Sequence, residues 1–136
     1  MPDSTPPPPR PGVLVVDDEP QIRNLLEAVL RRSGFAVWTA DGGRSALDCY
    51  QKNQSAISVV LLDVRMPGMD GPQTLAGLLR INPAAACCFM TGHAGDYTPE
   101  GLLALGAVRL FEKPFRLDDI ASGLWQTAQL AGRRTG

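Results

Sequence analysis

Short unbroken apolar runs alternate along this chain with longer stretches in which apolar residues recur every three or four positions. Val13-Leu14-Val15-Val16 is a run of the first kind, stopped by Asp17-Asp18. A run so short and continuous predicts a strand buried on both faces. Ile22, Leu25, Leu26, Val29 and Leu30 then follow helical spacing, with Pro20 suited to a first turn and negative charge at Asp18 and Glu19 placed where a helix start favours it. Arg31 and Arg32 suit the end of that helix, and Gly34 can terminate it. The alternation repeats. Phe35 to Thr39, Ile57 to Leu62, Ala86 to Met90 and Ala107 to Phe111 predict further strands. Arg44 to Lys52, with Ala46, Leu47 and Tyr50 inward, and Pro72 to Arg80 predict helices between them. Thr98-Pro99-Glu100 reads as the cap and first turn of a short helix to Leu105, although Gly101 weakens it. A last helix runs from Leu117 to Leu130, with Leu117, Ile120, Leu124 and Ala128 facing inward. Met66 to Gly71 is a loop of turn residues. Five such strand–helix units predict an α/β fold, a doubly wound five-stranded parallel sheet flanked by five helices.

Outside this alternation, residues 1–11 carry six prolines among polar residues and read as a solvated, partly extended tail. The folded domain spans 12–131, and 132–136 form a C-terminal tail. The 136 residues, 44% hydrophobic and 20% charged, suffice for one core without disulfide or metal staples. A formal net charge of -1 gives no basic surface for nucleic acid. No apolar run approaches the roughly 20 residues that span a bilayer. The three cysteines, Cys49, Cys87 and Cys88, are odd in number and lack metal-site spacing, which points to free thiols in a reducing, cytoplasmic compartment. One histidine leaves little room for a His-rich metal site or a Ser-His-Asp triad.

Chemistry-bearing residues recur at the ends of the predicted strands: Asp17 and Asp18 after the first, Asp63 after the third, Thr91 after the fourth and Lys113 after the fifth. In an open parallel sheet these ends share one rim, where ligands bind. Three converging carboxylates repel one another, and a hard divalent cation such as Mg2+ relieves that repulsion. A carboxylate can also act as a nucleophile toward phosphorus, with the lysine and the hydroxyl holding phosphoryl oxygens. Strand-end chemistry alone does not say which aspartate reacts.

Four segments in order carry a resemblance: Val13 to Pro20, Leu61 to Gly71, Met90-Thr91-Gly92 and Lys113-Pro114-Phe115. Together they resemble the receiver domain of two-component response regulators, over about Gly12 to Leu130. The resemblance implies a flavodoxin-like sheet of order 2-1-3-4-5. It implies a signalling switch that catalyses its own phosphoryl transfer and dephosphorylation, rather than an enzyme acting on a separate substrate. Asp63 matches the phosphoacceptor. Asp17 and Asp18 match the acidic pair that holds Mg2+ together with Asp63, and Arg65 falls where the family gives a main-chain carbonyl to the metal. Thr91 matches the hydroxyl that closes on the phosphoryl group, Gly92 the small neighbour that leaves it room, and Lys113 the phosphoryl-pairing lysine. The bond from Lys113 to Pro114 is cis in this family. A histidine kinase or histidine phosphotransfer protein would supply the phosphoryl group, and an unnamed protein would read the result. The last helices offer a homodimer surface, and the chain reads either as a stand-alone receiver or as part of a longer regulator.

Each residue also has a plainer role open to it. Asp18 can cap the first helix, Thr91 can serve a turn, Lys113 can be solvated, and Cys87 and Cys88 can be small core residues. Arg65 and His93 lie where side chains tune phosphoryl lifetime in this family, or are simply exposed loop residues. One departure stands out: the family carries Tyr or Phe three residues before the lysine, and here that residue is Leu110. Phe111 is next to it but faces the other way on a strand. Three other classes remain to be separated. A docking module would ignore Asp63→Asn. A flavodoxin-like nucleotide or flavin binder would place a glycine- or hydroxyl-rich loop where Asp17-Asp18-Glu19-Pro20 stands. A dehalogenase-type phosphatase would place its nucleophile after the first strand, with a second aspartate two residues on.

Overall fold

The computed structural model describes residues 10–92, 97–112 and 114–135, with side chains to Ala131. The chain alternates β1 (Gly12–Val16), α1 (Pro20–Arg32), β2 (Ala36–Ala40), α2 (Gly43–Asn53), β3 (Val59–Asp63), α3 (Gly71–Ile81), β4 (Cys87–Thr91), α4 (Pro99–Ala104), β5 (Arg109–Glu112) and α5 (Leu117–Thr135). All five strands are parallel, in the order β2-β1-β3-β4-β5. The expected doubly wound sheet of order 2-1-3-4-5 is therefore the fold.

Side-chain alternation along each strand divides the core into two layers. Leu14, Val16, Val60, Leu62, Cys87 and Phe89 face α2, α3 and α4, where they meet Ala46, Tyr50, Leu75, Leu78 and Leu102. Val13, Val15, Val59, Leu61, Cys88 and Met90 face α1 and α5, where they meet Leu26, Leu30, Ile120, Leu124 and Ala128. Both cysteines of the pair are buried core residues. Leu110 packs on the first layer and Phe111 on the second, so the two do face opposite ways.

Helix ends follow local chemistry. Gly34, with φ +102°, ends α1, its N–H donating to the Arg31 carbonyl while Phe35 donates to Leu30. Asp70 caps α3 in a capping box: its carboxylate accepts from the Gln73 N–H at 2.9 Å, and the Gln73 side chain accepts from the Asp70 N–H at 3.0 Å. Thr98 caps α4 through the Gly101 N–H.

Four expectations shift. Glu19, not Asp18, is the residue before α1, and it makes no side-chain cap bond. Leu25 is 48% exposed, because the buried stripe of α1 centres on Leu26 and Leu30. Ile57 is buried but precedes β3; its N–H closes the end of α2 on the Asn53 carbonyl. Finally, α5 runs past Leu130 to Thr135, through Gly132. Among the described residues no helix is long and apolar enough to cross a membrane.

Candidate functional site: an acidic rim at the C-terminal ends of the strands

Parallel strands bring the ends of β1, β3 and β4 to one rim. Asp17 follows β1 with its N–H on the Ala40 carbonyl at 3.2 Å, and Asp63 closes β3 opposite Met90 of β4. Asp17 is buried, while Asp18 and Asp63 are half-buried. One carboxylate oxygen from each of Asp17, Asp18 and Asp63 lies within 4.8 Å of the other two. Two unit charges at that separation repel by roughly 3–4 kcal/mol at an effective dielectric of about 20. The donor set is all oxygen, so it suits a hard divalent cation rather than a soft one.

The turn that carries the acidic pair is tied at several points. The Glu19 N–H donates to Asp17 Oδ1 at 2.8 Å, and the Arg23 guanidinium donates to the Asp17 main-chain carbonyl at 2.8 Å. After Asp63 the chain turns through Pro67 and Gly68, whose φ of +74° belongs to the left-handed region glycine tolerates. Within that loop the exposed Arg65 donates its N–H toward Asp63 Oδ1 at 3.4 Å. Gly71 then starts α3 directly beneath the site, its N–H on the Val64 carbonyl at 2.8 Å. A methyl group there would stand 2.6 Å from the Asp63 carbonyl oxygen and 2.8 Å from Val64 Cα.

Thr91 ends β4 at the same rim. Its Oγ1 is buried and has no hydrogen-bond partner among the described residues. Buried hydroxyls are normally paired, so this one is open to an acceptor beyond the described residues. Gly92, next along, is exposed, and so is Pro114 after β5. Leu110 is half-buried on the α4 side of β5. On the opposite side of that strand, Gly123 of α5 makes room for Phe111: a Cβ there would lie 2.7 Å from its ring. His93 and Lys113, and with Lys113 its bond to Pro114, lie outside the described residues.

Two contacts at the rim escaped the sequence. Arg23 is one; a cation so near a helix N-terminus opposes the helix dipole, and that anomaly was the available signal. The other joins two loops: the Tyr97 hydroxyl donates to Asp70 Oδ2 at 3.0 Å. Nothing in the spacing of residues 70 and 97 announces it. At the opposite rim, a groove of about 560 Å³ is bordered by Tyr50, Lys52, Ser58 and Asn82, and no acidic residue lines it. Among the described residues, the one cluster of three carboxylates lies at the C-terminal rim.

Comparison with known proteins agrees with this geometry. The profile of the response regulator receiver domain matches residues 13–124. Sporulation initiation phosphotransferase F of Bacillus subtilis (strain 168) is 35% identical over 108 residues, covering 79% of this chain and 86% of that protein. Transcriptional regulatory protein ZraR of Escherichia coli (strain K12) is 37% identical over 112 residues, which is 82% of this chain but 25% of that protein. The chain thus spans about a quarter of the length of that regulator. Among solved structures, the CheX–CheY–BeF3–Mg2+ complex of Borrelia burgdorferi superposes with a TM-score of 0.79 at 25% identity, covering 85% of this chain and 87% of that one.

Proposed function

The chain belongs to the response regulator receiver domain family of two-component signalling, and on that premise we propose that it is a switch whose Asp63 carboxylate accepts a phosphoryl group. The observation that carries this reading is the gathering of three carboxylates from β1 and β3 within 4.8 Å of one another. An all-oxygen set with an unpaired hydroxyl nearby fits a cation plus a phosphoryl group. In this reading Asp17, Asp18 and Asp63 hold Mg2+, with the main chain at Arg65 beside them. The cation, when bound, supplies positive charge against the phosphoryl oxygens.

The chain's own residues do the rest. An Asp63 oxygen forms the new bond to phosphorus as the P–N bond of a phosphohistidine donor breaks. The electron pair returns to the donor nitrogen, which leaves as neutral imidazole because the ring's other nitrogen is protonated. The buried hydroxyl of Thr91 donates its hydrogen bond to a phosphoryl oxygen, and Gly92 leaves space for that approach. Lys113 pairs with a second oxygen, and Arg65 and His93 set how readily water reaches the acyl phosphate. The added charge then shifts a pre-existing balance between two surface conformations. With Leu110 in place of an aromatic ring, that shift runs through Thr91. The donor is a histidine kinase or phosphotransfer protein, and the reader is a second protein.

Intact-protein mass after incubation with acetyl phosphate and Mg2+ tests the reading. The wild-type chain is expected to gain one phosphoryl group, with acetate as the leaving group. Asp63→Asn, or removal of Mg2+ with a chelator, is expected to abolish the gain. A gain that survives in Asp63→Asn would move the acceptor elsewhere.

A further inference from the structure

The turn between β1 and α1 is pinned more thoroughly than chain reversal requires. Pro20 begins α1, so Glu19 stands at its threshold with its N–H on Asp17 Oδ1. The main-chain N–H of Arg23 takes the Glu19 carbonyl at 3.1 Å, the first bond of the helix. Its guanidinium reaches back over that turn to the Asp17 carbonyl at 2.8 Å. One residue therefore closes the acidic turn from both sides, with Asp18 held between two tied neighbours. The Asp17 carbonyl lies one residue past the last registered pair of β1 with β2 and β3, Val16 with Ala40 and with Leu62, and the arginine supplies its donor. Arginine is suited to this place: its planar fork of donors keeps direction. It is also half-buried beside the acidic rim, against the preference of the helix dipole. A cation kept at an electrostatically unfavourable helix start calls for a compensating interaction, and the bond to the Asp17 carbonyl provides one.

We infer that Arg23 is a positioning residue for the cation site: by fixing the Asp17 carbonyl and placing a permanent positive charge beside the rim, it holds Asp17 and Asp18 in the spacing that lets them share a divalent cation with Asp63. The inference rests on the reading that this cluster holds Mg2+. Arg23 acts through Asp17 and touches neither cation nor phosphoryl group. Groups behind metal ligands often matter in this way, and losing one typically costs about tenfold or more in metal affinity.

Isothermal titration of Mg2+ into wild type, Arg23→Ala, Arg23→Lys and Asp17→Asn, at one ionic strength, tests it. Wild type is expected to bind and Asp17→Asn to lose binding. Arg23→Ala is expected to weaken the Mg2+ Kd about tenfold, and Arg23→Lys, which keeps the charge and one donor, to recover part of that loss. The Mg2+-induced rise in Tm should shrink in Arg23→Ala, and the Mg2+ concentration giving half-maximal phosphoryl transfer should rise in step with Kd. A merely structural residue would lower Tm equally with and without Mg2+. Arg23→Ala binding Mg2+ as tightly as wild type would overturn the positioning role and leave the cluster reading standing. Wild type that binds no Mg2+, or Asp17→Asn that binds it equally well, would overturn the cluster reading itself. Should Arg23→Ala not fold, Arg23→Gln, a shorter uncharged donor, is judged by the same criteria.

Discussion

Thr91 carries a buried hydroxyl with no partner among the described residues. An unpaired buried hydroxyl costs on the order of 1–3 kcal/mol. Thr91→Val keeps the branched shape and removes that unmet demand. The variant is expected to raise stability by about 1 kcal/mol, read from the urea midpoint, while weakening the phosphoryl-dependent conformational change. A loss of stability would mean that the hydroxyl already has a partner in solution. At this scale the sequence was informative where a residue's place follows from one strand. Asp17, Asp63 and Thr91 each end an apolar run, so their common rim followed from parallel topology alone. The opposite facing of Leu110 and Phe111 followed from the two-residue period. Arg23 and the Tyr97–Asp70 bond did not follow, because each depends on how far a side chain reaches across a turn or between loops.

Among the elements, the junction of β3 and α3 governs the site. Gly71 lies so close to the main chain of Asp63 and Val64 that no side chain fits without moving backbone. Gly71→Ala is expected to cost about 1–3 kcal/mol as an overpacked substitution. It should also weaken Mg2+ binding, because the atoms that must yield belong to Asp63 and its neighbour. Gly77, one turn and a half later in α3, is the control. A methyl group there first meets the two methyls of the Leu47 side chain, each 2.8 Å away, at the far end of a flexible side chain rather than backbone. Gly77→Ala should therefore stay close to wild type in both urea midpoint and Mg2+ titration. The helices and strands were legible from their periods, but their ends shifted where a capping group or a glycine decided. Glu19 displaced Asp18 before α1, and α5 continues past Leu130 through Gly132, because a glycine within a helix costs only about 1 kcal/mol relative to alanine.

For the molecule as a whole, two buried thiols give stability a pH dependence. Burial pushes the Cys88 thiol up to about 11, with its hydrogen bond to Thr127 and the nearby Arg109 charge acting in the lowering direction. Burial raises Cys87 well above 9.0, with Cys88 beside it adding to the rise. The unfolded chain loses these protons near 9.0 while the folded chain keeps them. The unfolded state then binds fewer protons, so their contribution to stability is complete below about pH 9 and falls as pH rises toward 11. Urea midpoints measured from pH 8 to 10.5 should decline, and Cys88→Ala should flatten part of the decline relative to its own value at pH 8. An identical slope in the variant would remove Cys88 from the account.

The chain enters β1 past Pro11, whose carbonyl is fixed by the Ala36 N–H, and α5 returns antiparallel to the strands so that Ala131 borders the far groove beside Ser58 and Ala84. Both ends of the described fold therefore leave from the face opposite Asp63. A segment joined to the chain at Pro11 or at Ala131 would leave from the back of the domain, away from the carboxylates. A reporter spliced in at either of those two points would leave the front panel of the domain open.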